Sequence, residues 1–381
     1  DLMNRKELFE SAKRYVVGRI AQELGTAERK LPTARRLAEL AGCSYGTMRL
    51  VMAELEKEGF VRQRQGSGTY ISERAGELAE PFLARKLLYF RSPHFGTPSN
   101  SFSEYLAAGL EAEAARRGWE VASGTVTSHN EFLAAARSMG GCCDAVAYAP
   151  VSEPFTLDQI AALRMLRGKP FVLCNDDLKT PGHSGTSASR RGGAMAASLL
   201  LSRNHRRIGL LFGEPRVRPC VERAIGFSEM LELAGIAPVI IDAEVDRDAN
   251  RYDCAYRAVE RELRRGLDIT ALFAVSDYSG WGALDALKDA GRRIPEDVSL
   301  ISFDGLPFLD GLDPKLTAIR QPLPEILDRA FAILGGELPS GGYQTVVPPV
   351  FKPGESVRHL PDVAVEAPFR PLADRPCEYS L

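Results

Sequence analysis

One group of polar side chains has types and spacings that suit recognition of nucleic acid. Ser44, Tyr45, Thr47 and Arg49 open a helical stretch and present short hydrogen-bonding groups beside a guanidinium. Such a helix end fits the major groove of DNA, where base edges offer hydrogen-bond donors and acceptors. Arg35, one turn inside the preceding helical stretch, is placed to reach a phosphate or a guanine edge.

A second group of polar side chains follows the ends of predicted strands in the larger part of the chain. Asn175, Ser276, Asp277 and Asp304 each come directly after an apolar run. The carboxyl ends of parallel strands meet at one edge of a sheet, so these groups are expected to line one ligand-binding mouth. Carboxylates and amides suit a polyhydroxylated ligand because they accept hydroxyl protons. Asp277 could equally cap the helix that follows it.

Patterns of catalytic and metal-binding sites are missing from the sequence. No HExxH, GxSxG or phosphate-binding loop is present, and the seven cysteines include no CxxC pair. His129, His183 and His205 lie apart, and His205 is expected to order the turn before a strand. We therefore expect no metal, no cofactor and no enzymatic activity.

Short helical stretches and a hairpin would position the first polar group. Val16, Ile20 and Leu24 give one helix a single buried stripe. Thr33 and Ser44 are suited to cap two further helices, the second running to about residue 58. Residues 60–64 and 68–72 then predict two strands around a glycine-containing tip, in which Arg62 and Arg64 could follow the DNA backbone. This order predicts a winged helix-turn-helix.

Residues 31–72, LPTARRLAELAGCSYGTMRLVMAELEKEGFVRQRQGSGTYIS, resemble the winged helix-turn-helix of the GntR family. The resemblance implies binding to double-stranded operator DNA. Ala34 and Tyr45 depart from the usual pattern, so the operator sequence cannot be copied from a relative. The predicted DNA-binding residues are Thr33, Arg35, Arg36, Ser44, Tyr45, Thr47, Arg49, Arg64 and Gly66.

From residue 86 the pattern changes to short apolar runs that alternate with helical stretches. This alternation predicts an α/β fold with parallel sheets covered on both faces, in two doubly wound lobes of four strands each. The predicted strands are 87–90, 119–122, 145–149, 171–174, 208–212, 239–241, 271–275 and 298–303. The predicted helices are 102–117, 130–139, 157–166, 192–202, 220–234, 251–265 and 280–290.

The segments NHRRIGLLFG, RAIGFSEMLELAGI and RRIPEDVSLISFDG resemble the LacI/GalR-type effector domain, which is related to periplasmic binding proteins. The resemblance covers about residues 86–358 and implies a sugar bound between two lobes. It also implies chain crossings near 186–189, 319–322 and 343–350. Asn175, Ser276 and Gly305 depart from the usual side chains. The predicted effector-binding residues are Ser101, Phe102, Asn175, Arg223, Ser276, Asp277, Asp304 and Gln321.

Charge is spread unevenly along the 381 residues. Residues 1–74 hold 14 Lys and Arg against 10 Asp and Glu, whereas the whole chain has a net charge of −2. A basic head on an acidic body indicates an anionic partner for the head. We expect a head over 1–72, a linker over 73–85 with at most a helical turn, and a loosely ordered tail over 359–381. No secretory signal or membrane span is recognisable, so a cytoplasmic location is expected.

These features together predict a ligand-controlled transcription regulator, and a repressor rather than an activator. The combination resembles the arabinose-repressor type of regulator in architecture and does not name the ligand. A homodimer would place two heads on the half-sites of a near-palindrome. Two alternatives stay open: a regulator with a non-sugar effector, and a GntR-headed enzyme.

Overall fold

The computed structural model describes most of the chain, including the head and both sheets of the body. The described residues are 5–24, 29–64, 66–83, 85–91, 102–139, 143–149, 155–166, 169–173, 183–246, 249–335, 337 and 344–361. Most of the predicted tail therefore lies outside them. In the described part of the chain, no helix is long and apolar enough to cross a membrane.

The head consists of three helices followed by a hairpin. Its elements are α1 (Arg5–Glu23), α2 (Ala34–Ala41), α3 (Tyr45–Lys57), β1 (Val61–Arg64) and β2 (Gly68–Ile71). Met48, Val51, Met52 and Leu55 lie on one face of α3 and are buried against α1 and α2. Residues 29–31 add backbone hydrogen bonds to β2, from Leu31 N to Thr69 O and from Ile71 N to Arg29 O.

The segment after the hairpin is a helix and not the predicted linker. Helix α4 (Ala75–Leu83) buries Ala75 and Ala79 in the core of the head, where Leu78 packs beside them. Its apolar residues recur at helical spacing, a short pattern that the glutamates and Pro81 of this segment obscured. The head therefore extends through α4, and only Ala84 separates this helix from the first strand of the body.

The first lobe of the body, lobe 1, has a six-stranded parallel sheet in the order β13-β7-β6-β5-β3-β4. Helices α5 and α12 cover one face of the sheet and α6 and α7 the other. Its strands are β3 (Arg85–Arg91), β4 (Trp119–Thr125), β5 (Ala145–Ala149), β6 (Lys169–Leu173), β7 (His183–Ser187) and β13 (Gln344–Val347). Its helices are α5 (Phe102–Arg116), α6 (His129–Met139), α7 (Leu157–Arg164) and α12 (Leu323–Gly335).

The second lobe, lobe 2, has a six-stranded sheet in the order β14-β12-β11-β10-β8-β9, and only β14 is antiparallel to its neighbour. Helices α8 and α9 pack on one face and α10 and α11 on the other. Its strands are β8 (Ile208–Phe212), β9 (Val239–Asp242), β10 (Ala271–Ala274), β11 (Ser299–Asp304), β12 (Thr317–Arg320) and β14 (Val350–Lys352). Its helices are α8 (Ser189–Ser202), α9 (Arg218–Leu233), α10 (Arg251–Arg264) and α11 (Asp277–Asp289).

The chain passes between the lobes at three places. It leaves lobe 1 after β7 to enter α8, returns between β12 and α12, and crosses again between β13 and β14. Each lobe is thus assembled from separate stretches of sequence. Three connections side by side would act as one hinge, about which two lobes can rotate against each other.

The doubly wound α/β class is confirmed, whereas each sheet has six strands and not the predicted four. β7 reads HSGTS and lacks an apolar run, and β12, β13 and β14 have three or four residues each. Helix α12 was also missed because Pro322 and Pro324 stand at its start. Proline is tolerated in the first turn of a helix, where its missing N–H would have no intrahelical partner.

Candidate nucleic-acid interface and ligand cleft

Helix α3 of the head presents an exposed amino-terminal end that is fixed by its own side chains. The Ser44 hydroxyl accepts a hydrogen bond from Thr47 N at 3.0 Å and lies 2.9 Å from the Thr47 hydroxyl. Tyr45 and Arg49 are exposed beside them. The predicted base-reading side chains therefore share one solvent-facing helix end, which has the size and shape of a helix that enters a major groove.

Helix α2 places two arginines close to this end with different partners. The Thr33 hydroxyl caps α2 by accepting from Arg36 N at 3.4 Å. The Arg36 guanidinium donates to the Glu39 carboxylate at 2.9 Å. The Arg35 guanidinium lies over the Tyr45 ring, 5.8 Å from its centre. Arg36 is thus partly neutralised, whereas Arg35 has no carboxylate partner among the described residues.

The hairpin forms a cationic wing around Tyr70. Arg64 lies 4.9 Å and Lys30 5.7 Å from the centre of the Tyr70 ring, and the Ser67 hydroxyl is 2.8 Å from the Tyr70 hydroxyl. Gly66 is exposed at the tip with a φ of 73°. Lys30 was not among the predicted residues, because its approach to the wing depends on the pairing of residues 29–31 with β2.

In lobe 2, Arg223 is the centre of a buried polar cluster at the carboxyl edge of the sheet. Its guanidinium is 2.9 Å from the Asp304 carboxylate, donates to Val275 O at 2.8 Å, and lies 3.9 Å from the centre of the Phe303 ring. The Gln321 amide donates to the same Asp304 oxygen at 2.7 Å. Burial raises the pKa of the Asp304 carboxyl. The structure therefore brings three predicted residues together: Arg223, Asp304 and Gln321.

Asp277 links α11 to β11 and to the turn after it through buried hydrogen bonds. Its side chain is completely buried, and its two oxygens accept from the Ser302 hydroxyl and from Leu306 N, both at 2.6 Å. Burial and the nearby Asp304 raise the pKa of this carboxyl well above its usual range. The expectation that Asp277 caps a helix is wrong, because Ser276 caps α11 by accepting from Ser279 N. Because Asp277 is completely buried, it presents no surface to a ligand in this structure.

A second ion pair, between Glu214 and Arg251, was not predicted. Glu214 follows β8, is 4% exposed, and accepts from Arg251 Nε and from the Cys220 thiol. The position of Glu214 after a strand was a usable signal. Arg251 stands farther along the chain at the start of α10, and only the folded sheet brings the two side chains together.

The lobe 1 side of the cleft is less fully described. Phe102 begins α5 and is half-buried against the core of lobe 1. Ser101 and Asn175 lie outside the described residues. In the described part of the chain, no group of three His, Cys, Asp or Glu side chains is arranged to hold a metal ion.

The head and the body of the chain each match a known protein domain. Residues 8–71 match the domain model of bacterial regulatory proteins of the gntR family, and residues 197–357 match a periplasmic binding protein-like domain. The HTH-type transcriptional regulator CelR of Thermobifida fusca is 25% identical over 80% of this chain and 91% of its own length. The ribose operon repressor of Halalkalibacterium halodurans is 25% identical over 78% of this chain and 87% of its own length.

Solved structures resemble the body. A LacI family regulator from Enterococcus faecium with bound ribose has a TM-score of 0.60 and 24% identity, and the match covers 72% of this chain and 100% of that one. The lac repressor dimer bound to operator has a TM-score of 0.61 at 18% identity, with 76% and 99% covered. At this identity the likeness shows the fold alone.

The chain therefore joins a GntR-type winged helix-turn-helix to a LacI-like, periplasmic-binding-protein-like body. It is a transcription regulator whose DNA binding is controlled by a ligand, which confirms the class predicted from the sequence.

Proposed function

We propose that this chain is a repressor that binds operator DNA through α3 and its wing and releases it when a sugar closes the two lobes. The observation that carries the DNA part is a set of exposed arginines on α2, α3 and the wing. Arg35, Arg49, Arg62 and Arg64 have no carboxylate partner among the described residues, although carboxylates are common in the same chain. Unpaired arginines beside an exposed helix end suit phosphates and guanine edges.

The test of the DNA part is the variant Arg49→Ala, measured on duplexes selected from a random pool with the full chain. Loss of one base or phosphate contact should weaken binding by about 1–3 kcal/mol. Lys57→Ala is the matched control, because it removes the same charge from the exposed carboxyl end of α3. Equal affinities of Arg49→Ala and the unchanged chain, in the same salt, would count against α3 as the reading helix.

The proposed effector site is the edge of lobe 2 around Arg223, Ser276, Asp304 and Gln321, together with the predicted lobe 1 residues Ser101, Phe102 and Asn175. A guanidinium, a carboxylate and an amide held within one hydrogen-bonded cluster can exchange bonds with ligand hydroxyls. Relatives named for ribose regulation and a neighbour with bound ribose support a sugar. Arg223→Ala should remove the ligand response while operator affinity without ligand stays unchanged.

We also propose that the active form is a homodimer. Tyr252, Tyr278, Trp281 and Phe308 form an aromatic cluster on α10, α11 and the turn after β11, with ring centres 4.9–6.4 Å apart. All four are half-buried, and aromatic side chains are enriched in the centres of protein interfaces. Trp281→Ala should shift the full chain toward monomer in sedimentation, and an unchanged dimer would place the interface elsewhere.

The names of the relatives support a regulator without catalytic activity. Because it would act on operator DNA, we place it in the cytoplasm. A GntR-headed enzyme carrying pyridoxal phosphate would show visible absorbance in the purified chain, and its presence would overturn this part of the proposal.

A further inference from the structure

The ligand face of lobe 2 contains two guanidinium–carboxylate pairs within one cluster. Arg223 pairs with Asp304, as described above, and Arg251 pairs with Glu214. The two pairs meet around Cys220, whose thiol is 3.5 Å from Glu214. Glu214, Cys220 and Arg223 are each at most 5% exposed, so the charges are shielded from water and interact strongly.

Arg251 is the member of this cluster that keeps unused hydrogen-bonding capacity. Its Nε donates to Glu214, and among the described residues its two terminal nitrogens have no hydrogen-bond partner. The side chain is 19% exposed, so these nitrogens are reached from the surface of the edge. The planar fork of an arginine matches the two oxygens of a carboxylate or phosphate, and such bonds are stronger than bonds to neutral hydroxyls.

Further cations stand along the same edge of the sheet. Arg216, in the turn between β8 and α9, and Arg320, at the end of β12, are exposed and have no ion pair in the described part of the chain. Arg320 packs directly over Gly305, where an added Cβ would lie 2.5 Å from the Arg320 Cβ. A residue larger than glycine at 305 would therefore collide with β12 at Arg320.

The carboxylates at this edge differ in their exposure and partners. Asp277 is completely buried and accepts from the Ser302 hydroxyl and from Leu306 N. On the outer strand β9, Asp242 accepts from Glu244 N at 2.8 Å, and Glu244 pairs with Arg261 at 3.3 Å. Glu214 and Asp304 are paired with Arg251 and Arg223, and Asp242 and Asp246 add two further carboxylates near this edge. The feature that suits an anion is therefore the pair of terminal nitrogens of Arg251, and not the net charge of the edge.

We propose that the effector is an acid, a sugar acid or a sugar phosphate, whose anionic group binds the terminal nitrogens of Arg251. Its hydroxyls would then meet Arg223, Asp304 and Gln321. This inference rests on the proposed function, since it assumes that a ligand binds at this edge. It adds a charge requirement that a neutral ribose-type ligand does not meet.

The test is thermal unfolding of the full chain against matched pairs of neutral and acidic compounds at constant ionic strength. The pairs are glucose with glucuronate, gluconate and glucose 6-phosphate, and ribose with ribose 5-phosphate, with inorganic phosphate alone added. Separate carboxylate and phosphate arms distinguish the two kinds of acid. An acidic member should bind at least about 10-fold tighter than its neutral partner, because one charged hydrogen bond is worth that factor.

A double variant, Glu214→Gln with Arg251→Gln, removes the anion site without leaving a lone buried charge. It should lower the affinity for the acidic ligand about 10- to 100-fold and leave operator binding without ligand unchanged. The matched control is Arg207→Gln with Asp268→Asn, an exposed ion pair at the opposite edge of the same sheet. The control should bind the acid as the unchanged chain does.

The outcomes distinguish a wrong effector class from a wrong proposed function. A neutral sugar that binds as tightly as its acids, and releases operator DNA, would overturn the acidic effector and support the proposed function. Acid binding that survives the double variant would also overturn the anion site. A panel in which no compound changes unfolding or operator binding would contradict small-sugar control itself, and with it this inference.

Discussion

At the residue scale, two buried carboxylates of lobe 2 are held by partners from other parts of the chain. Asp304 is held by Arg223 and Gln321, and Asp277 by Ser302 and Leu306. Buried groups of this kind cost free energy unless they are fully bonded. Their positions are therefore set by the fold, and the side chains of the proposed effector site are held in place without a ligand.

His205 gives a test of such positioning away from the ligand. It is fully buried, with Nδ1 3.0 Å from the Thr270 hydroxyl and Nε2 3.2 Å from Arg358 O, and burial lowers its pKa to about 4. Below about pH 6.5 the His205 side chain is protonated in the unfolded chain and stays neutral in the folded chain. The free energy of unfolding therefore falls as the pH drops.

We expect the unchanged chain to lose about 2 kcal/mol more unfolding free energy than His205→Gln between pH 7 and pH 5. Denaturant titrations at the two pH values measure this difference. Parallel pH profiles of the two proteins would show that His205 is protonated as easily in the folded chain as in the unfolded chain.

At the element scale, the position of Arg223 depends on how closely α8 and α9 approach each other. A Cβ added to Gly193 would lie 1.9 Å from Arg223 O, and one added to Gly226 would lie 1.9 Å from Arg190 O. The helices therefore touch backbone to backbone at both glycines. This contact fixes the Arg223 backbone at the crossing, from which its guanidinium reaches Val275 after β10 and Asp304 at the end of β11.

Gly193→Ala should push α9 away and displace Arg223. We expect a loss of about 3 kcal/mol in unfolding free energy, as for an overpacked core, together with weaker ligand binding. Gly18→Ala in α1 is the control, because nothing lies within 4 Å of its added Cβ. That variant should gain about 1 kcal/mol from helix propensity. Equal stability of the two variants would contradict the close crossing.

The strands predicted with their observed bounds are those that are almost entirely buried. β5 and β8 were predicted with their observed bounds because both are continuous apolar runs. β7 was not predicted because its sequence is polar. α4 was not predicted because it is only nine residues long and has a small apolar face. Glu214 and Arg251 are 37 residues apart in sequence, and only the sheet order brings them together.

At the scale of the whole molecule, the head is attached to lobe 1. Helix α4 leads almost directly into β3, and the Arg14 guanidinium of α1 lies 2.6 Å from the Asp144 carboxylate at the start of β5. The same carboxylate oxygen accepts from Lys86 N at 2.8 Å. In the closure proposed above, a rotation of lobe 1 would carry the head with it and would let a ligand in the cleft alter operator binding.

Arg14→Ala should weaken this coupling. The pair is partly exposed, so its loss should cost at most about 1 kcal/mol, seen as a smaller effect of ligand on operator affinity. Affinity for the ligand itself should not change. Arg19→Ala, which removes a pair with Glu23 on the same helix, is the control. A full ligand response in Arg14→Ala would show that α4 alone transmits the motion.

The three crossings between the lobes also set an order for synthesis on the ribosome. The head is complete once α4 has emerged, and it can fold while the body is still being made. Lobe 1 must wait for α12, whose Leu323, Ile326, Leu327 and Phe331 fill its core, and α12 follows nearly all of lobe 2. A nascent chain paused before α12 would therefore carry a finished DNA-binding head on an unfinished sensor.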